Sequence, residues 1–205
     1  MLHLLLAVLL PLASADLHVG GQIGIQSTDL VGYDANDRVV DHADIGTTDP
    51  RSGVGMGGFA EIESERIGFR ASLLYSQKGW SRRYPPLIEG DRWQQSLDYL
   101  ELPLELKVLS GNTRSSLRAY LLGGGYWAGL LSAHRGLDGR SNRSDWYSSA
   151  AGLSAGLGVQ GKVAPARLAV QLRVRQDLTT IHGPDARRDL EVYNQSIGID
   201  FLVGL

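Results

Sequence analysis

A few stretches of this chain carry residue types at spacings that could do chemistry. Gly152-Leu153-Ser154-Ala155-Gly156 has the GxSxG spacing of a nucleophile elbow, and Asp177 and His182 follow in the order Ser, Asp, His. An elbow needs a strained turn from strand to helix that lifts the serine hydroxyl clear of the chain. Residues 147–161 read instead as one continuous strand, with Ser154 facing inward and His182 in a loop. No catalytic residue is therefore expected, and an acyl-transferring enzyme built on Ser154 stays as an alternative. Gly53-Val54-Gly55-Met56-Gly57-Gly58 and Gly156-Leu157-Gly158-Val159-Gln160-Gly161 both contain GxGxxG. A dinucleotide site needs a helix N-terminus after that turn, to meet the pyrophosphate. Both matches lie in strands, so no cofactor is expected.

Metal-ligand spacing is missing as well. His3, His18, His42, His134 and His182 are scattered, and there is no Cys. Asp29, Asp34, Asp37, Asp41, Asp44 and Asp49 crowd one segment without the order of a calcium loop, which reads as a solvated acidic loop. Lys78-Gly79-Trp80-Ser81-Arg82-Arg83-Tyr84-Pro85-Pro86 mixes cations with aromatic rings. At a membrane rim that mixture suits anionic lipopolysaccharide headgroups.

These side chains need elements to hold them, and the periodicity shows which. The 205 residues carry a formal net charge of -2, which gives no basic surplus for nucleic acid. Without Cys there is no disulfide framework. The apolar run Leu4 to Leu12, followed by Ala13-Ser14-Ala15, reads as a signal peptide over residues 1–15, with the mature chain beginning at Asp16. After it the dominant period is two. In Leu168-Ala169-Val170-Gln171-Leu172-Arg173-Val174-Arg175 a helix would scatter the arginines, whereas a strand lines them up on one side.

The alternation predicts eight strands, near 17–26, 53–63, 66–77, 96–109, 115–131, 147–161, 166–178 and 190–204. Long polar connections (27–52, 78–95, 132–146, 179–189) alternate with short turns. That is the signature of an all-β, eight-stranded, antiparallel up-and-down transmembrane β-barrel spanning residues 16–205, with short periplasmic turns and longer extracellular loops. Both termini then lie in the periplasm.

Parity sorts the side chains. With Leu100, Leu102, Leu104, Leu106 and Val108 outward, Glu101, Glu105 and Lys107 point inward. The same rule sends Glu61, Arg70, Arg118, Arg167, Arg173, Arg175 and Asp200 into the lumen. Eight strands enclose a space that side chains fill, so these charges are expected to neutralise one another in a structural network. Inward glycines, Gly24, Gly156 and Gly158 among them, are expected to leave room for the long charged side chains. The outward aromatics Tyr75, Trp127, Tyr147 and Tyr193 fall near the loop-rich end, as an interfacial girdle would.

Several stretches resemble the PorT-like outer-membrane β-barrel family of Bacteroidota. They are Gly57-Gly58-Phe59-Ala60-Glu61, Leu73-Leu74-Tyr75-Ser76-Gln77-Lys78-Gly79 and Leu97-Asp98-Tyr99-Leu100-Glu101-Leu102-Pro103-Leu104. Gly123-Gly124-Gly125, Ala155-Gly156-Leu157-Gly158 and the closing strand from Gln195 to Gly204 complete them. The resemblance implies an outer-membrane barrel and implies no reaction. One departure is the last residue, Leu205, where outer-membrane strands often end in an aromatic.

The functional expectation is a non-enzymatic integral outer-membrane protein whose extracellular loops serve binding, adhesion or envelope structure. Its expected partners are outer-membrane lipid and lipopolysaccharide, the periplasmic chaperones and barrel-assembly machinery during biogenesis, and a protein met through the loops. Alternatives are an accessory component of a secretion system and a soluble periplasmic barrel with a ligand inside.

Overall fold

The computed structural model describes residues 15–34, 48–83, 92–111, 115–135, 140–141, 147–181 and 190–205. The predicted leader up to residue 14, the acidic residues Asp37, Asp41 and Asp44, and His3, His42 and His182 lie outside the described residues. Nine strands follow in chain order: β1 (Asp16–Asp34), β2 (Thr48–Glu63), β3 (Ile67–Arg83), β4 (Arg92–Leu109), β5 (Leu117–Arg135), β6 (Arg140–Ser141), β7 (Ser149–Val163), β8 (Ala166–Asp177) and β9 (Leu190–Gly204). Each long strand pairs antiparallel with its neighbours, β9 returns to β1, and β4 pairs with β5, so eight strands close a barrel. The two-residue β6 only extends the β5 edge.

The short ends are tight. Ser64 N–H donates to the Ile67 carbonyl at 2.8 Å across the first turn. Gly111 takes φ +77°, the left-handed conformation that a side chain resists, and so reverses the chain after β4. By the rule that short turns are periplasmic, the open ends of the strands face outside.

The strands run well past their predicted ends. β1 continues to Asp34 rather than stopping near 26, β3 reaches Arg83 rather than 77, and β2 starts at Thr48 rather than 53. β7, in contrast, begins at Ser149, and Tyr147 precedes it, donating its backbone N–H to the Ile181 carbonyl. The strand ends looked like loop because their outward residues are polar. Their inward residues keep the alternation going with the opposite polarity.

The barrel turns inside out along its axis. In the lower part the wall is apolar: Ile23 and Ile25, Leu102, Leu104, Leu106 and Val108, Leu153 and Leu157, and Val170, Leu172 and Val174 are exposed. The inner face there is mostly charged and polar, interrupted by a smaller buried apolar cluster of Phe59, Leu109, Tyr120, Leu122, Ala169 and Leu202. Higher up the outward positions become Ser27 and Asp29, Gln77 and Ser81, Gln94 and Ser96, Ser132 and His134, and Gln195. The inner face there becomes Leu30, Trp80, Leu97, Leu130, Ala133, Ile181 and Val192, which form one buried apolar cluster. A bulge in the β4–β5 pairing, where Asp98 faces Ser132 and Tyr99 faces Leu130, leaves Leu131 unmatched. The shift lets Ala133 turn inward, where it is fully buried.

The 19 residues of β5 rise roughly 45 Å when tilted as such strands are, against an apolar band of about 25 Å. The upper part is therefore an extramembrane barrel with a conventional dry core. The lower part is a membrane barrel with a polar one. An arginine in the middle of the apolar band should show the difference. Leu104→Arg is expected to destabilise the folded barrel by about 2–4 kcal/mol. Urea unfolding in phospholipid vesicles measures it, and a change under 1 kcal/mol would place β4 outside the hydrocarbon.

Candidate functional site

The lumen of the lower barrel gathers the charged residues that the alternation of β2, β3, β4, β5, β8 and β9 turns inward. Among the described residues six carboxylates are buried, Glu61, Glu63, Glu101, Glu105, Asp177 and Asp200. Six cations are buried with them, Arg70, Lys78, Lys107, Arg118, Arg173 and Arg175. Arg167 joins at the periplasmic mouth, 13% exposed. Charges out of water are costly unless paired, and the balance of numbers makes pairing possible.

The pairs form tiers. At the periplasmic end Glu63 lies 2.8 Å from Arg167 Nη1, 3.2 Å from Arg118 Nη1 and 3.1 Å from Lys107 Nζ. Gln160 Nε2 donates to the same carboxylate, and Arg118 donates from its other terminal nitrogen to the Glu65 carbonyl. One tier up, Glu61 accepts from Arg70 Nε at 2.6 Å and from Lys107 Nζ at 2.7 Å. The Lys107 ammonium stands 4.4 Å from the Tyr120 ring centre, and Arg70 stacks 5.2 Å from that of Phe59.

The middle tier turns on Gln171. Its carbonyl oxygen accepts from Arg70 Nη1 and from the Tyr120 hydroxyl, each at 2.9 Å, and its amide donates to Asp200 at 2.9 Å. Arg173 sits between Asp200 at 3.3 Å and Glu105 at 3.6 Å, and Ser154 Oγ donates to Glu105 at 3.0 Å. Arg173 makes no well-aligned hydrogen bond, so charge rather than geometry holds it. In the top charged tier Glu101 lies 2.9 Å from Lys78 and 3.1 Å from Arg175. Asp177 accepts from the Tyr126 hydroxyl and from Asn194 Nδ2 at 2.9 Å. The Lys78 ammonium lies 5.2 Å from the Tyr99 ring centre and 5.1 Å from that of Tyr126.

Every lumen residue expected from parity is buried or half-buried inside: Glu61, Arg70, Glu101, Glu105, Lys107, Arg118, Arg167, Arg173, Arg175 and Asp200. Three members escaped the sequence reading. Glu63 reads as a turn, Asp177 as a triad acid and Lys78 as part of the rim. Glu63 and Asp177 have the inward parity of Glu61 and Arg175 inside the predicted strands, and Lys78 continues the even-numbered row from Arg70 once that strand is lengthened past 77. Lys78 and Trp80 are a correction: both are buried, and neither meets a lipid headgroup.

Gly24 makes room for a charged side chain, since a Cβ there would lie 2.1 Å from Asp200 Oδ1, but two other inward glycines call for a second correction. Gly152 and Gly158 pair across β5–β7 with Tyr126 and Tyr120. A Cβ on either would lie 2.6 Å from the tyrosine hydroxyl oxygen. These glycines make room for inward tyrosines, which then shape the charged tiers.

Ser154 lies in the continuous strand β7 and donates its hydroxyl to Glu105, and the GxGxxG matches lie in β2 and β7. Among the described residues no cluster of three or more His, Asp or Glu could hold a metal. On the outer wall Trp127 is 51% exposed and Tyr147 42% exposed. Tyr193 is half-buried opposite Val31. Half-buried Tyr75 donates its hydroxyl to Asp98 at 2.9 Å, at the level where the wall turns polar. Near the other end Phe69, not anticipated, is exposed as Phe201 is.

Removing one cation takes a shared partner from two carboxylates, which keep Arg70 and the Arg118–Arg167 pair. Lys107→Met is expected to cost about 1–3 kcal/mol of unfolding free energy, because Glu61 and Glu63 each lose one hydrogen bond out of water. Arg173→Leu with Arg175→Leu should abolish the folded, heat-modifiable band on gels. An unchanged band in that double variant would show the network to be dispensable.

Residues 12–183 match the outer membrane protein beta-barrel domain. No curated protein matches the chain. Among solved structures the barrel is similar to the outer membrane protein OprG of Pseudomonas aeruginosa, at 14% identity over 93% of each chain with a TM-score of 0.54. It is similar also to Neisserial surface protein A, at 13% identity over 91% of this chain and 97% of the other, with a TM-score of 0.50. At such identity the likeness speaks for the fold alone. A closed barrel, an apolar wall and a matching domain agree: the chain is an outer-membrane protein and belongs to the outer membrane protein β-barrel domain family.

Proposed function

We propose that this protein is a non-enzymatic surface scaffold, with a charged lumen that serves stability and extracellular loops that bind or adhere. The supporting observation is that the lumen charges are engaged with one another. Glu61, Glu63, Glu101 and Asp200 each have a cation within 3.3 Å, and Ser154, the one hydroxyl in an enzyme-like motif, is bound to Glu105. A catalytic group must be reached by a substrate, and Ser154, Glu105, Glu61 and Glu101 are all buried.

The upper barrel supports the same reading. Strands continuing beyond the hydrocarbon give the loops a stiff base, and loops on rigid scaffolds commonly carry binding. The acidic segment between Asp34 and Thr48 is the leading candidate for such contacts, with outer-leaflet lipopolysaccharide beside the wall. Chaperones and the barrel-assembly machinery would meet the chain on its way to the membrane, and residues 1–15 would serve as the export signal. Within the family, the stretches Leu73 to Gly79 and Leu97 to Leu104 favour the PorT-like branch. That branch keeps a second reading in view, an accessory of a secretion machine, which stable co-purification of machine subunits from native membranes would support.

The first test is an epitope tag in the segment between Asp34 and Thr48, followed by protease shaving of intact cells. The expected result is outer-membrane recovery with the tag removed from outside. A tag cut only after the envelope is opened would overturn the loop assignment. A serine-reactive fluorophosphonate probe is expected to leave the folded protein unlabelled. Labelling that disappears in Ser154→Ala would replace the scaffold reading with an enzyme.

A further inference from the structure

We infer that this barrel associates with copies of itself in the plane of the membrane, the basic flank of one extramembrane section meeting the acidic flank of the next. The inference concerns the wall above the hydrocarbon and is independent of what the extracellular loops bind.

Register assembles the basic flank. β3 and β4 pair to their tips, which puts Arg83 directly across from Arg92 and Arg82 across from Trp93. On the next strands Gln95 pairs with Arg135, and Arg135 pairs in turn with Arg140. Five arginines are thus collected at the ends of β3, β4, β5 and β6. No carboxylate occurs among the described residues 80–83, 92–97, 132–135 and 140–141. Like charges directly opposite each other on paired strands destabilise the pairing. Two such arginine pairs in one corner weaken the isolated barrel, and an anion brought against them relieves the repulsion.

The acidic flank lies across the barrel. β1 carries Asp29 and Asp34, and β9 carries Glu191 opposite Tyr33. The described residues 29–34 and 190–195 contain no lysine or arginine. Asp29 is on the outer face beside Gln195, and Glu191 holds an outer-face position in the same row. Arg83 and Arg92 hold outer-face positions too, in the rows that continue from Ser81 and Gln94. The connecting sequences keep the bias. Residues 29–51 hold six aspartates against two arginines, whereas 82–92 and 134–146 together hold six arginines against four carboxylates. In the closed ring β9 stands four strands from β4 in either direction, and β1 four from β5. The two flanks therefore face opposite ways.

Opposite charge on opposite flanks selects the partner. A polyanion fits the arginines but is repelled by Asp29, Asp34 and Glu191, whereas a second copy satisfies both flanks at once. Copies inserted in one membrane share an axis and a height, so polar section meets polar section. The rotational freedom lost on contact is smaller than in free association. Contact between one flank and the opposite flank of a neighbour is heterologous, so the product is an open row rather than a closed dimer.

The chain has no cysteine, so introduced thiols report this contact alone. Gln94→Cys with Gln195→Cys puts one thiol on each flank at an outer-face position. The double variant is reconstituted in neutral phosphatidylcholine vesicles and oxidised with copper phenanthroline. The expected result is a ladder of disulfide-linked dimers, trimers and longer products. It should shorten in roughly 1 M salt, where charge interactions reach only about 3 Å. Arg83→Glu with Arg92→Glu in that background should abolish the ladder. Adding Asp29→Lys with Glu191→Lys should restore it, because the flanks are then exchanged and again complementary. Heat-modifiable migration establishes that each variant is folded. Where one is not, Arg92→Glu alone serves on the basic flank, and Asp34→Lys replaces Asp29→Lys, whose carboxylate accepts from the Leu30 N–H. A ladder indifferent to these charges is random collision and would overturn the inference. So would folded barrels that stay monomeric under oxidation. If such monomers retain added lipopolysaccharide through the natural arginines, the partner of the basic flank is the anionic sugar layer instead.

Discussion

A bilayer core contains nothing to which a peptide group can hydrogen-bond, and the rest of this structure follows from that fact. Every N–H and C=O crossing it must be answered within the chain, which for strands means a closed ring. The β4–β5 and β1–β9 pairings supply the closure. Closure with eight strands fixes the bore, and the bore leaves space for side chains but little else. What fills the lumen is thus a packing problem before it is a functional one. The chain solves it in the membrane section chiefly with paired charges, tyrosines and glycines, set beside a smaller apolar cluster that includes Leu109, Leu122 and Leu202.

That solution has consequences for stability. A buried ion pair is a weak source of net stability, since desolvation offsets much of the attraction, yet losing one partner is expensive. The tiers limit the risk by sharing. Glu63 has four partners and Lys107 three, so a shift at one contact leaves others intact. The rings of Tyr120 and Tyr126 shield the ammoniums of Lys107 and Lys78 and also donate hydroxyls to Gln171 and Asp177. Arg173, with longer contacts, is the loosest member.

The architecture and most of the lumen could be read from the residues alone, because alternation in a strand is strict. Leu100 to Val108 settle the parity of β4, and the same rule carried to Arg173 and Asp200 places them correctly. Reading failed where the polarity of the two faces exchanges. Leu30, Trp80 and Leu97 are apolar at inward positions, and their outward neighbours Asp29, Ser81 and Ser96 are polar. A rule that assigns apolar residues to the wall breaks at that level, and the strand seems to end. Lys78 escapes for the same reason, lying just past the predicted end at 77. Glu63 and Asp177 lie within the predicted strands, and they escape because they read as a turn residue and a triad acid instead of being sorted by parity. The pairing of tyrosine with glycine across β5–β7 left no trace in periodicity, since it depends on register between strands rather than on order within one.

The exchange of faces also constrains how the barrel can be made. Its upper section has a polar exterior, and it has to pass through the hydrocarbon to reach its final place. Crossing as a finished cylinder would drag Asp29, Gln77, Ser96 and His134 through lipid on the outside. Crossing as separate hairpins would expose bare peptide groups instead. The passage therefore needs a route that shields the hairpin tips until they emerge. The apolar interior can then condense only on the far side, as the last part of the molecule to become native. Assembly of this barrel ends at the cell surface, in water, by ordinary hydrophobic collapse.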